Sequence, residues 1–545
     1  MDRVHQERDP IDLNLAFSGL FLIFWGLRVW PAVMLSSVFS VISLVLIGFG
    51  LGCVGLGLVG KTLKHYRVPV VVLFNLGFMV WAVIHIMAAA GYGTDEIAFD
   101  QWAAQLLIRG VNPYTANLTP ALSHLGVPHI YFTYTLTGQL VHQLSYPAMA
   151  IYPYLPLLWG GVARGSALFT DTVFWMISIA LFYALLPKKY QWLALLCGSL
   201  SIYNTYLLGG VTDVLFFPFL LVAAYRWDRF NQLPGYWRWG PPVAFGLAAA
   251  VKQTVWFVAP FLFLALILEQ NDNKKGLMTA WRYALIALLT FAVINAPFII
   301  VNFGAWLHGI LLPLTEPTLP AGQGFIDLAL FTRIGGGALS LFNDLGILFL
   351  AAGLLFLYTD YSLLKPLIFF MPSLILFWSS RSFGSYLIDL VPFAILSGLT
   401  ITPAPGFSRN VARWRKPGAV SLGTVFLGLV AAIVLSPAPL TISVAKLQAV
   451  GQSGRVARIT LSVTNHTRRV LRPHFALTTT GQPTGFWAAP DTSLKPYATA
   501  TIALQAPYPS AMPALRSNFI VDAFTANPDT LSTSGICHAW TIPRS

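Results

Sequence analysis

Two adjacent carboxylates, Asp95 and Glu96, stand directly after an apolar run at 68–90. Thr94 precedes them as a helix N-cap, and Ile97, Trp102, Leu106 and Leu107 continue at helical spacing as far as Gly110. Neighbouring residues of a helix project about 100° apart, so the two carboxylates do not share one task. One reading is electrostatic: acidic side chains stabilise the first turn of a helix. The other is chemical, a general base at a membrane–water boundary that takes a proton from an acceptor hydroxyl while a phosphate leaves. Both readings stand on the residues alone.

Cationic counterparts lie far along the chain. Lys252 sits about 12 residues into the apolar stretch 241–269, some ~18 Å from its start at helical rise. An ammonium there costs about 2.5–3.5 kcal/mol on insertion scales, which demands an anionic partner. Pairing with Asp213 or snorkelling to an interface would meet that demand, and a bound phosphate is the other candidate, a compact charge being suited to phosphate oxygens. Arg381, among Ser379, Ser380, Ser382 and Tyr386, is a second anion-binding candidate or an interfacial anchor. Arg164, just before another apolar run, is open to the same two readings. Asp171, Asp344 and Asp389 read as capping or loop residues. His124, His129, His142 and His308 are scattered, and no local spacing gathers metal ligands. No metal site is assigned, although Asp95, Glu96 and Asp213 could still converge on a divalent ion.

The elements that must position these groups are apolar. Of 545 residues, 56% are hydrophobic, 14% aromatic and 10% charged, with mean hydropathy +0.68. A soluble domain carries about 25% charged residues. Soluble enzyme, disordered scaffold and secreted disulfide protein are thereby excluded, and three cysteines (Cys53, Cys197, Cys537) make no framework. Runs long enough to cross a bilayer fall near 12–30, 33–58, 68–90, 167–187, 190–206, 212–226, 281–302, 340–358, 365–379, 385–400 and 418–437. Residues 148–163 predict a half-helix and 241–269 a hairpin, for about 11–13 transmembrane helices in all. The net charge of +13 comes from short basic clusters (Lys61 to Arg67, Lys188-Lys189, Arg226 to Arg229, Lys274-Lys275, Arg409 to Lys416). They mark cytoplasmic loops rather than a nucleic-acid surface. The loop 91–147 and everything after about 437 are then extracytoplasmic. No cleavable leader is evident.

From about 440 the pattern changes to strand alternation, as in RVARITLSVTN and SNFIVDAFTA, separated by Gly, Pro and Asn turns. The fold class expected is therefore an all-α polytopic membrane protein, residues 1–437, carrying a C-terminal extracytoplasmic β-sandwich at 438–545.

The outer-loop string Gly93, Asp95, Asp100, Ala104, Leu107, Gly110, Asn112, Pro113, Tyr114 resembles the first outer loop of GT-C glycosyltransferases. Three further stretches agree in order: Tyr152-Pro153 with Leu155-Pro156, the turn and helix LLGGVTDVLFFPFLLVAAYRWDR carrying Asp213, and FGLAAAVKQTVWFVAP. The last is similar to the polyprenol-phosphate-mannose-dependent branch, from which Asp100 and a longer lysine-to-proline spacing depart. The resemblance spans roughly residues 68–400. It implies an inverting enzyme that transfers a hexose or pentose from a polyprenyl-phosphate donor to a glycan, glycolipid or protein acceptor. Asp95 would be the base with Glu96 beside it, and Lys252, Arg381 and Arg164 would meet the donor phosphate. Asp100, Asn112, Tyr114, Tyr152, Asp213, Gln253 and Tyr386 would line the substrate site. The rival class is a multi-span lipid or polysaccharide flippase or transporter. Such proteins are often built from internal repeats, and none is seen here.

Overall fold

The computed structural model describes the chain from residue 11 to residue 542, apart from 61–64, 89–90, 164, 208, 271, 404–411, 451–453, 480–482, 484, 490–491 and 540. Arg164 therefore lies outside the described residues, as does much of the basic stretch before the last helix.

Three helices open the chain: α1 (Leu13–Val29), α2 (Ser37–Leu58) and α3 (Arg67–Ala88). Trp25 of α1 meets Phe74, Phe78 and Trp81 of α3 edge-on, at ring-centroid distances of 5.3–5.7 Å, the geometry aromatic quadrupoles favour. The expected outer-loop helix forms as α4 (Asp95–Ile108). Ile97, Ala98, Phe99, Asp100, Gln101, Ala103 and Ala104 are all buried against protein, beside the short helices α5 (Pro120–His124) and α6 (Leu155–Trp159).

Seven helices are long and apolar enough to cross a membrane among the described residues. They are α1 to α3, α7 (Ser166–Leu185), α13 (Asn273–Thr315), α15 (Ser340–Thr359) and the apolar part of α20 (Ala412–Leu435). The remaining runs are broken. Residues 190–206 form α8 (Trp192–Ser199) and α9 (Ser201–Leu207), interrupted at the extended Leu200. Around 212–226 only α10 (Phe217–Ala224) is α-helical. The 241–269 stretch splits into α11 (Gly240–Ala249) and α12 (Ala259–Leu268), both packed on α13. After α14 (Asp327–Thr332), the runs beyond α15 yield α16 (Tyr361–Leu364), α17 (Met371–Leu376), α18 (Gly384–Ile388) and α19 (Val391–Thr400).

Proline explains much of this fragmentation. Pro218, Pro260, Pro372 and Pro392 each occupy the first turn of a new helix, where a missing N–H is harmless but a continuing helix from upstream would clash. Broken backbone is tolerated inside a membrane protein where other protein covers it. Leu220, Leu221, Ala223 and Ala224 of α10 are accordingly buried.

Beyond Leu435 the chain becomes β. Strands β1 (Ala321–Gly322) and β2 (Arg381–Ser382) are a small parallel pair within the helical part. The C-terminal region holds β3 (Leu440–Val450), β4 (Arg455–Asn465), β5 (His474–Thr478), β6 (Thr499–Gln505), β7 (Asn518–Ala526), β8 (Asp529–Thr533) and β9 (Cys537–His538). One sheet has the order β3-β4-β6, with Leu461 opposite Val444 and Ile502. The other runs β5-β7-β8, with β9 also on β7. Alternate residues of both sheets, among them Leu447, Ile459, Leu461, Phe475, Leu477, Leu504 and Val521, share one apolar core. This region sits on the helical part: the Asp529 carboxylate accepts from Ser340 N (2.8 Å) at the start of α15, and Leu531 N donates to Gly336 O (2.8 Å).

Inside the β core, Asp522 accepts from the Thr478 hydroxyl at 2.5 Å, is fully buried, and has its other oxygen without a partner among the described residues. Burial pushes its carboxyl up to about 8 from 3.8. The folded protein then keeps a proton that the unfolded chain has lost, so stability of this region falls as pH rises from about 4 to about 8. The slope approaches about 1.4 kcal/mol per pH unit within that window. Asp522→Asn should remove it. Hydrogen exchange of β5 and β7 in the full chain, corrected for intrinsic rates, should weaken with rising pH in the parent protein and stay level in Asp522→Asn.

Candidate active site

The site is assembled by a close backbone approach. A side chain on Gly93 would meet Gly209 O at 2.8 Å, and Gly209 itself adopts φ +108°, a region L side chains rarely enter. Two glycines thus let the 209–213 turn lie against the start of α4. Three hydrogen bonds then fasten it. Thr94 Oγ1 donates to Gly210 O (2.5 Å), Thr212 N to Glu96 Oε1 (2.8 Å) and Thr212 Oγ1 to Asp100 Oδ2 (2.6 Å). The Thr94 hydroxyl, expected to cap α4, serves this contact instead. Glu96 and Asp100, four residues apart, share one helix face, and that face receives the turn.

Lys252 enters from the apex between α11 and α12. The α11 helix ends at Ala249 and Lys252 is extended, at φ −150° and ψ 147°. Its Nζ lies 2.7 Å from Glu96 Oε1 and 2.6 Å from Asp213 Oδ2, with only 3% of the side chain exposed. The Tyr146 and Tyr386 rings flank it at 5.3 and 5.5 Å. Of the two partners left open for Lys252, the structure supplies the carboxylate one, and adds Glu96 to Asp213. Gln253 fixes the apex by donating through Nε2 to Ser145 O and Ile310 O, both at 2.7 Å.

Asp95 turns the other way. Thr133 N donates to its Oδ2 at 2.7 Å. Burial raises its carboxyl above the ordinary carboxylate range, against the opposing pull of the Thr133 hydrogen bonds and of Arg381. Asp100 is pushed up further, again by burial, with one oxygen held by Thr212 and the other without a partner among the described residues. Arg381 is placed by the β1–β2 pair, where Gly322 leaves room for Ser382 O. Its Nη1 donates to Leu319 O (3.2 Å), and its guanidinium lies 5.2 Å from the Phe383 ring centre.

Asp95, Glu96, Lys252, Gln253, Arg381 and Tyr386 all line one cavity of about 860 Å³. Ile347 and Leu350 of α15 and Leu376 of α17 add an apolar wall, and Pro483 and Asp529 of the β region also border it. Asp100 and Asp213 are fully buried and do not border the cavity: Asp213 is linked to it through Lys252, and Asp100 bonds to the equally buried Thr212.

Three expected substrate contacts lie elsewhere. Asn112 Oδ1 accepts from Tyr114 N (3.0 Å), so Asn-Pro-Tyr is a turn. Tyr114 donates its hydroxyl to Tyr146 O (2.8 Å), and Tyr152 donates to Ile294 O (3.1 Å). These are framework bonds, and none of the three residues borders the cavity. Asp171 is neither cap nor loop: it is buried within α7, facing the Tyr154 hydroxyl at 3.3 Å. Asp389 ends α18 but is buried, with both oxygens unpartnered among the described residues.

The cavity also shows residues that the linear reading passed over, namely Thr133, Tyr146, Tyr206 and Gln323. Tyr146 carried one local signal, its place before Pro147 at the end of the long outer loop. Among the described residues, no three His, Cys, Asp or Glu side chains converge as metal ligands. No family model matches the chain, and no curated protein or solved structure is significantly similar to it.

Removing the ammonium should expose how much the arrangement depends on it. Lys252→Met leaves Glu96 and Asp213 facing each other without a counter-charge, a loss of about 3–5 kcal/mol for a broken buried pair. Thermal unfolding of the purified protein should shift down accordingly. Adding Asp213→Asn should recover part of the shift, because one of the two stranded charges is then gone.

Proposed function

We propose that this chain is an integral membrane glycosyltransferase that moves a sugar from a polyprenyl-phosphate donor to a glycan, glycolipid or protein acceptor. The observation that carries the reading is the cavity itself. A half-buried carboxylate on α4 and an arginine share it, and α15, a helix long and apolar enough to cross a membrane, supplies much of its apolar wall. This pairing of a base, an anion site and a lipid-compatible surface suits a donor that is half sugar phosphate and half hydrocarbon. The GT-C resemblance of the outer-loop string supports the same chemistry. With the basic loops on the cytoplasmic side, the cavity and the β region face out of the cytoplasm of a cell membrane. The two sheets would then form a sandwich over the site.

Asp95 acts as general base. Its raised pKa makes it a stronger base than an exposed carboxylate, and Thr133 N fixes one of its oxygens. The acceptor O–H gives its proton to Asp95 while the oxygen attacks the anomeric carbon. The bond from that carbon to the phosphate oxygen breaks on the opposite face, inverting the centre. The lipid phosphate leaves with one more negative charge, which Arg381 neutralises. The hydroxyl of Tyr386 supplies a further donor to the anion. Lys252 serves as a positioning residue: it holds Glu96 away from the reacting atoms and balances its charge. No divalent ion is invoked in these steps.

Sugar transfer by the purified protein tests this, using radiolabelled polyprenyl-phosphate mannose, glucose and arabinose with envelope glycolipids. One donor should be used, and Asp95→Asn should lower the rate about 10²-fold or more. Because Asp95 works deprotonated and its pKa is raised, activity should be lost on acidification well before the ordinary aspartate value of about 4. Full activity in Asp95→Asn would move the base to Glu96. Absence of transfer from every donor, with labelled lipid crossing proteoliposome membranes, would instead make the protein a flippase.

A further inference from the structure

The β region is strongly basic. Between residues 438 and 545 there are nine lysines and arginines against three aspartates and no glutamate. Two of those aspartates are already committed, Asp522 to the core and Asp529 to the start of α15. Four of the cations, Arg468, Arg469, Arg472 and Lys495, gather on two loops at one end of the β3-β4-β6 sheet.

That end is built, and it faces the helices. Asn465, fully buried, donates through Nδ2 to Arg469 O (2.8 Å), Leu494 O (3.2 Å) and Lys495 O (3.1 Å). Its Oδ1 accepts from Thr467 N and Thr467 Oγ1, and Leu471 pairs with Leu494 through backbone bonds in both directions. One side chain thus fastens both loops together. Asn465 lies opposite Leu440, and His466 N donates to Pro439 O (3.0 Å). Pro439 is four residues beyond Leu435, where the apolar α20 ends. Five residues of chain reach at most about 18 Å, so the cluster stands close to the helix end.

Nothing on the helical side competes for these charges. Among the described residues none of the four forms an ion pair, and all four are exposed. α20 lies at the periphery, with 6% of its apolar window buried, so most of its apolar surface is free of other protein. An aliphatic and an aromatic side chain complete the patch. Val470 is 52% and Tyr497 64% exposed, and the Tyr497 hydroxyl accepts from Arg468 Nε at 3.3 Å. Tyr497 also holds φ +55°, costly for a bulky residue, in a turn that keeps its ring outward. Basic residues beside a membrane helix, interleaved with an aromatic and an aliphatic side chain, match a surface of anionic headgroups.

We infer that the loops 466–472 and 494–497 form a foot that rests on anionic phospholipid next to α20. This depends on α20 crossing a bilayer and is independent of the transfer reaction. The lipid would hold the β region at a fixed height over the cavity it borders.

The full chain in nanodiscs of phosphatidylcholine alone, or with phosphatidylglycerol added, tests the foot by hydrogen exchange. Segments 466–472 and 494–498 should exchange at least about threefold more slowly in the anionic discs, and added salt should reverse the effect. The variant Arg468→Gln/Arg469→Gln/Arg472→Gln/Lys495→Gln should lose the difference. Lys446→Gln/Arg458→Gln, on the outward face of the same sheet, should keep it. Equal exchange in both discs, with the core strands still protected, would overturn the inference. Protection by a soluble acidic oligosaccharide but not by phosphatidylglycerol would also overturn it, making the patch a glycan site.

Discussion

An ammonium enclosed among apolar helices must find negative charge close by, and meeting that demand at Lys252 organises much of the helical part. Two unit charges 4 Å apart attract by about 4 kcal/mol at an effective dielectric of 20, and by about 1 kcal/mol in water. Glu96 and Asp213 supply that charge from α4 and from the turn ahead of α10. A third element, the α11–α12 apex, brings the lysine. None of these elements could shift alone without stranding a charge. The opposite end of the same hairpin repeats the device. Lys365, almost wholly buried, lies 3.1 Å from Asp228 and 2.8 Å from the Glu269 carboxylate. Tyr361 donates to Glu269 (2.6 Å), and Thr402 donates to Asp228 through both its N–H and its hydroxyl. One lysine between two carboxylates thus closes the short helices at both ends, where their prolines forbid a continuous span.

The β region belongs to the same mechanical unit. Asp529 caps α15 while bordering the cavity, and His129 of the outer loop stacks on Tyr508 at 4.0 Å. Tyr134 meets Phe486 edge-on at 5.2 Å. The outer loop is therefore held from two sides, by α4 below and by the sheets above. Thr133, whose N–H orients Asp95, lies in the stretch between His129 and Tyr134 that these rings secure. A displacement of the sheets would be felt at the carboxylate through one residue.

What the linear chain revealed follows from which forces are local. Apolar runs, the start of α4 and the strand alternation after 440 are local patterns; α4 and the strands formed as expected, whereas among the described residues only seven of the apolar runs gave helices long enough to cross a membrane. The need of Lys252 for an anionic partner was legible because burying a lone ammonium is costly wherever it occurs, and Asp213 was one of the two partners left open. Glu96 was not legible as its second partner. The pairing bridges 156 residues, and only the Gly93–Gly209 approach brings the chains together. The misplacements have the same origin. Asn-Pro-Tyr at 112–114 is a strong local signal, but it is a signal for a turn, which the backbone uses for itself. Asp171 and Asp389 fell beside the ends of apolar runs, and their burial depends on helices distant in sequence.

The adjacency of Asp95 and Glu96 is best understood through the directions a helix imposes. At about 100° apart, one carboxylate can be held by the protein while the other remains turned to the cavity. Glu96 spends one oxygen on both Lys252 and Thr212 N, which fixes its place in the ion pair. Asp95 has no such pair: its described hydrogen bond comes from a neutral backbone amide. Protonation at Asp95 therefore neutralises a carboxylate whose charge burial already disfavours. Swapping the two residues would put the shorter side chain at the Lys252 anchor and the longer one at Thr133. The order Asp-Glu, rather than the mere presence of two acids, is what the geometry requires.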